Sequence, residues 1–278
     1  MTTRQATGAT ALPEPPTLPE PPAWQRAADA LAFEWTKLRS IRSNYWTLLI
    51  AAAASIGITL IVGHTVGATS AGPPPGPLDP LVVSFLGYAA YGVLPVTVLG
   101  VLAFTSEQST GLIRTTFTAV PRRWTVLAAK AAVTGAAAVA AGEVLAFACF
   151  FLTQALLSGK HGVSLAHPGA LGSVLGAGFL MPSCVLVGLG LGAIIRHTAG
   201  GIAAAVGVIY LIPLLCLSLP APWRTDFGRF TLPFAAYQVV TLHLQAALFS
   251  PAVSLAVLIA WPAAILLIAG LLIARRDA

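Results

Sequence analysis

The chain has 278 residues, of which 57% are hydrophobic and only 9% charged, with a mean hydropathy of +0.85. A soluble domain carries about 25% charged residues, so a water-soluble fold is excluded. The apolar runs are continuous rather than alternating, which points to an all-α polytopic membrane protein and away from a β-barrel. A net charge of +6 would suggest nucleic acid in a soluble protein. Here the uneven distribution of loop charges accounts for it, and no nucleic-acid partner is expected.

Residues 1–23 carry Leu-Pro-Glu-Pro-Pro twice, at 12–16 and 18–22. They read as an extended, disordered cytoplasmic tail. The first 24 residues lack the apolar centre of a signal peptide, so the first span is expected to remain in the mature protein. A single membrane domain, 24–278, follows. It opens with a predicted interfacial helix over 24–43, in which Trp24, Ala28, Leu31, Trp35 and Leu38 share one face. Arg26, Asp29 and Lys37 are placed on the opposite side, with a break at Ser43-Asn44.

Six spans of roughly 20 residues or more are predicted at about 45–64, 81–104, 126–157, 171–195, 199–218 and 252–274. The third is longer than a bilayer requires and is expected to start outside it and tilt. Only Arg196-His197-Thr198 separates the fourth from the fifth. Twelve of the 15 cations fall on one side: Arg4, Arg26, Lys37, Arg39, Arg42, Arg114, Arg122, Arg123, Lys130, Arg196, Arg275 and Arg276. Lys160, Arg224 and Arg229 fall on the other. The positive-inside rule then puts both termini in the cytoplasm. The outer segment 219–251 is too apolar for a solvated loop and too interrupted for a span, so short re-entrant or interfacial helices are expected there.

The middle polar segment, Ser106 to Lys130, lies between two apolar runs. Arg114, Arg122, Arg123 and Lys130 make it cationic, and Pro121 ends a short helix that Ser109 or Thr110 would cap. A positive-inside anchor explains the cations but not the framework Glu107…Gly111…Pro121. The segment reads as a docking surface for a soluble partner.

Chemistry-bearing patterns are sparse. The sole Gly-Lys pair, Gly159-Lys160, lacks the spacing of a phosphate-binding loop. No cofactor or enzymatic activity is expected in this chain. The five histidines share no metal-ligand spacing, and Cys149, Cys184 and Cys216 sit in apolar runs as small hydrophobes. Glu143 is the one carboxylate well inside an apolar run, which makes it either a pathway or interface residue or a protonated interhelical hydrogen-bonder. Pro95, Pro182, Pro213 and Pro262 are candidate kinks. Gly172/Gly176 and Gly188/Gly192 form small-xxx-small pairs that could bring helices together.

Two motifs carry a family resemblance. One is Glu34-Trp35-Thr36-Lys37-Leu38-Arg39-Ser40-Ile41-Arg42-Ser43, with Trp46 opening the first span. The other is Glu107-Gln108-Ser109-Thr110-Gly111-Leu112-Ile113-Arg114-Thr115-Thr116, followed by Pro121-Arg122-Arg123 and Ala129-Lys130. Over about residues 25–276 the chain resembles the membrane-spanning permease subunits of ABC-2 type exporters, the small bacterial kind with a separate ATPase subunit. The resemblance implies that Glu34, Trp35, Lys37 and Arg39 belong to an elbow helix at the membrane. It implies that Glu107, Gly111, Arg114, Pro121, Arg122 and Arg123 couple to the ATPase, which holds the Mg-ATP. It also implies a second permease subunit and a bacterial plasma membrane location. The Pro-rich tail falls outside the family pattern, and the resemblance carries no role over to Glu143. A proton-coupled transporter using Glu143 and a non-transporting membrane scaffold stay open as alternatives.

Overall fold

Backbone polar groups find no water in hydrocarbon, so a spanning chain closes its hydrogen bonds within helices. The computed structural model describes residues 22–69, 79–109, 123–157, 162–241 and 249–275, which form helices and no strand. Among them, six helices are long and apolar enough to cross a membrane. They are Arg42–Val66, Pro80–Gln108, Trp124–Leu157, Ala170–Ile195, Thr198–Leu217 and Pro251–Arg275, called here the first to sixth spans. The predicted tail, 1–23, lies outside the described residues but for its last two.

A pre-span helix, Ala23–Ser40, precedes them and packs on the third span. It ends at Ile41, whose backbone is extended, earlier than the break expected at Ser43-Asn44. The last carbonyls of a helix lack backbone partners. Here Asn44 Nδ2 donates to the Leu38 carbonyl and Tyr45 Oη to the Arg39 carbonyl, each at 2.9 Å. The residues read as the break are the ones that cap the helix before it.

The fourth span is the hub. Its central window is 72% buried, against 22% for the first span and 28% for the fifth, and it packs on the second, third and sixth spans. Glycine permits this. A Cβ at Gly100 would collide with the Val185 carbonyl, and one at Gly188 with the Thr97 carbonyl. At Gly192 it would sit 2.9 Å from the Val101 carbonyl oxygen. The Gly188/Gly192 pair thus seats the second span within the chain. Gly176 meets Val239, while Gly172 faces open space.

Each span proline deprives the carbonyl four residues earlier of its donor. The structure answers this in two ways. For Pro95 and Pro213 the affected carbonyls, Tyr91 and Ile209, lie in π turns, Tyr88–Gly92 and Gly207–Leu211. These widened turns touch, with Tyr210 Oη donating to the Ala90 carbonyl at 2.8 Å. For Pro182 and Pro262 a side chain takes the donor's place. Tyr88 Oη donates to the Gly178 carbonyl at 3.4 Å, and Ser183 Oγ shares its one proton between the Leu258 and Phe179 carbonyls, each at 2.8 Å.

Among the described residues, the segment 219–251 contains two short helices, Ala221–Gly228 and Leu232–Val240. The second is buried against the sixth span. Gln238 holds its surroundings together. Its Nε2 donates to the Arg229 and Phe234 carbonyls, and its Oε1 accepts from the Phe249 N–H. Asp79 caps the second span by accepting from the Leu81 N–H at 2.9 Å, and it also accepts from Thr241 Oγ1 at 3.0 Å. The fourth and fifth spans are joined by Arg196, in the left-handed region at φ 58°, and by His197, whose Nδ1 accepts from the Gly200 N–H.

Candidate functional site

Glu34 and Lys37 lie three residues apart on the pre-span helix and so share a face. That face is Ala27, Ala30, Glu34, Lys37 and Leu38, all at least partly buried, and it lies about a quarter turn from the tryptophan stripe. The stripe itself is largely exposed, with Trp24 at 70% and Trp35 at 51%. Lys37, placed away from the bundle by the sequence pattern, therefore points into it. Pairing outweighs patterning here, because a half-buried cation needs a carboxylate.

The partners come from the two helix ends that flank residues 110–122. The second span continues as helix to Ser109, beyond the expected end at 104, and this carries Glu107 inward. The helix of the third span begins at Arg123 and presents Lys130 seven residues on, two turns in. Lys130 Nζ lies 2.7 Å from Glu34 Oε2 and 2.5 Å from Glu107 Oε1. Lys37 Nζ lies 2.8 Å from Glu34 Oε1 and also pairs with Glu107 Oε1. Each lysine thus touches both carboxylates, in a neutral quartet drawn from three stretches of sequence. Lys130 is 2% exposed and Glu34 5%. Lys130 is not the loop charge that the sequence count made it.

Burial works to lower the pKa of Lys37. The hydrogen bonds and charges of Glu107 and Glu34 outweigh it and hold the value above the ordinary 10.5. Lys37 therefore stays protonated at neutral pH, and the quartet joins three stretches of chain. The Thr134 hydroxyl donates to the Lys130 carbonyl at 2.6 Å, one turn further in.

The remaining expected site residues lie outside the quartet or outside the described residues. Gly111, Arg114, Pro121 and Arg122 lie outside the described residues, as do the side chains of Ser109 and Arg123. Trp35 and Arg39 are on the pre-span helix outside the quartet. Glu143 lies 13 residues beyond Lys130, about 20 Å along the third span. Its carboxyl rests on Gly178, at the bend of the fourth span, where a Cβ would overlap it. Glu143 Oε2 is buried without a hydrogen-bond partner. Among the described residues no group of His, Cys, Asp and Glu could hold a metal ion.

The sequence reading named all four quartet residues but assigned them to two separate motifs. Glu34 and Glu107, carboxylates set among cations beside apolar runs, were the available signal. No protein-family model matches the chain, and no curated protein matches it either.

Proposed function

We propose that this chain is the membrane-spanning permease subunit of an ATP-driven exporter of the ABC-2 type, oriented with both termini in the cytoplasm of a bacterial cell. The observation that carries the reading is the buried quartet Glu34–Lys37–Glu107–Lys130. It ties the pre-span helix to both ends of the segment 110–122. An ATPase subunit docked on that segment, through Gly111, Arg114, Pro121, Arg122 and Arg123, would push on a braced base. The quartet passes the displacement to the pre-span helix and to the second and third spans together. A flexible attachment would dissipate it. The weakly buried first and fifth spans leave apolar surface for a second permease subunit.

The experiment is a mild-detergent pull-down of the tagged chain from its native membrane with mass spectrometry of its companions. A stoichiometric partner bearing a phosphate-binding loop is expected, and Arg122→Glu should release it while the permease stays folded. Intact chain without an ATPase, in a preparation that preserves other transporter complexes, would refute the reading. One observation favours a second reading: the partnerless Oε2 of Glu143 at a helix bend suits a proton-coupled transporter. That reading requires flux without an ATPase and its loss in Glu143→Gln.

A further inference from the structure

A cavity of about 270 Å³ lies between the pre-span helix and the bundle. Its mouth is formed by Arg39, Asn44 and Tyr45, and its depth by Leu48, Val96 and Met181. The mouth is fixed by the two hydrogen bonds that cap the pre-span helix, from Asn44 to Leu38 and from Tyr45 to Arg39. It stands where the first span begins at Arg42, the depth at which aromatic and basic side chains meet lipid headgroups. The inner end lies at Met181, near the middle of the fourth span, Ala170–Ile195. The cavity therefore runs from one membrane surface to the midplane, about half of a roughly 30 Å hydrocarbon core. That is the reach of a single acyl chain.

Its charge is as one-sided as its polarity. Arg39 is the only charged residue lining it, and Arg39 takes part in none of the ion pairs seen among the described residues. Arg42 is exposed close by in sequence and adds a second positive charge. The nearest carboxylate on the same helix, Glu34, is already neutralised by two lysines. A guanidinium fork beside an apolar shaft fits a phosphate joined to a hydrocarbon chain.

We propose that this cavity holds one anionic phospholipid of the adjacent leaflet, its phosphate on Arg39 and one acyl chain against Leu48, Val96 and Met181. The lipid fills the wedge under the pre-span helix, beside Thr134 and thus one turn from the quartet. This inference needs only that the six spans cross a membrane. It does not depend on an ATPase partner.

The test uses the wild-type chain in vesicles doped with phosphatidylglycerol or phosphatidylcholine that carries a photoreactive group in one acyl chain. Cross-links are then mapped by mass spectrometry. Phosphatidylglycerol should label Leu48, Val96 and Met181 several-fold more than phosphatidylcholine does. Arg39→Ala should lower that labelling about fivefold, the worth of one basic residue at a membrane surface. Arg275→Ala, a basic residue at the far end of the sixth span, should leave it unchanged. Ala138→Trp, which fills the shaft, should abolish labelling of Val96. Three results would overturn the proposal: equal labelling by the two lipids, labels confined to outward faces, or an equal loss in Arg275→Ala. So would wild-type labelling that a transported solute or a second copy of the chain displaces while added phosphatidylglycerol does not.

Discussion

Lys130→Met is the sharpest test of the quartet. Lys130 is 2% exposed and touches both carboxylates, so its removal leaves Glu34 and Glu107 sharing only Lys37, with one net negative charge buried. Breaking a buried pair costs about 3–5 kcal/mol. Lys37 still bridges the two carboxylates, so the low end applies, about 3 kcal/mol or roughly a 160-fold shift of the folding equilibrium. Lys37→Met should cost less, because its side chain is 23% exposed and water can reach the vacated site. Glu34→Gln combined with Lys130→Met restores neutrality and should recover part of the loss, a positive coupling in a double-mutant cycle. The assay is equilibrium unfolding in mixed detergent micelles followed by tryptophan fluorescence. If Lys130→Met falls within about 0.5 kcal/mol of wild type, or Lys37→Met costs as much as Lys130→Met, the buried-joint argument fails.

Further expectations concern the spans and the proton. Gly100→Leu should prevent close approach of the second and fourth spans and cost more than about 2 kcal/mol in the same unfolding assay, whereas Gly172→Leu, facing open space, should cost little. Ser183→Ala should cost about 1 kcal/mol by orphaning the Leu258 carbonyl; in a Pro262→Ala background, where the backbone donor returns, the cost should vanish. Because the Lys37 pKa is raised, its stabilising contribution is complete below about pH 10 and lost as pH rises through the raised value; titration of its Nζ by NMR of labelled lysine should show this, and a midpoint below 10.5 would refute it. If the exporter proposal holds, Glu143→Gln should leave ATP-driven efflux from vesicles intact; flux that needs no ATPase and is lost in Glu143→Gln would shift the assignment to the proton-coupled reading.

The six spans were legible in the sequence because apolar length is set by bilayer thickness, and two of their ends moved where polar residues found partners. The second span ran on past 104 because Glu107 is drawn to Lys130 and Lys37. The break before the first span fell at Ile41 because Asn44 and Tyr45 donate backward. Neither follows from periodicity, which ranks residues by solvent preference and is blind to a specific ion pair. For the same reason Lys130 was counted as a loop charge and Lys37 as an outward one. Gln238 and the Asp79–Thr241 bond were missed outright, since their partners lie many residues away. The prolines were visible, but the groups that satisfy their orphaned carbonyls sit on neighbouring spans.

The quartet also orders events during synthesis. When the first two spans have left the ribosome, Glu34, Lys37 and Glu107 are present and Lys130 is not, so the emerging site carries an excess negative charge. The pre-span helix has no neutral seat until the third span follows. Lys130 then closes the ring and locks three stretches of chain in a single step. A chain ending before residue 130 would lack the cation that closes this site. The pre-span helix thus gains its full set of ion pairs only with the third span.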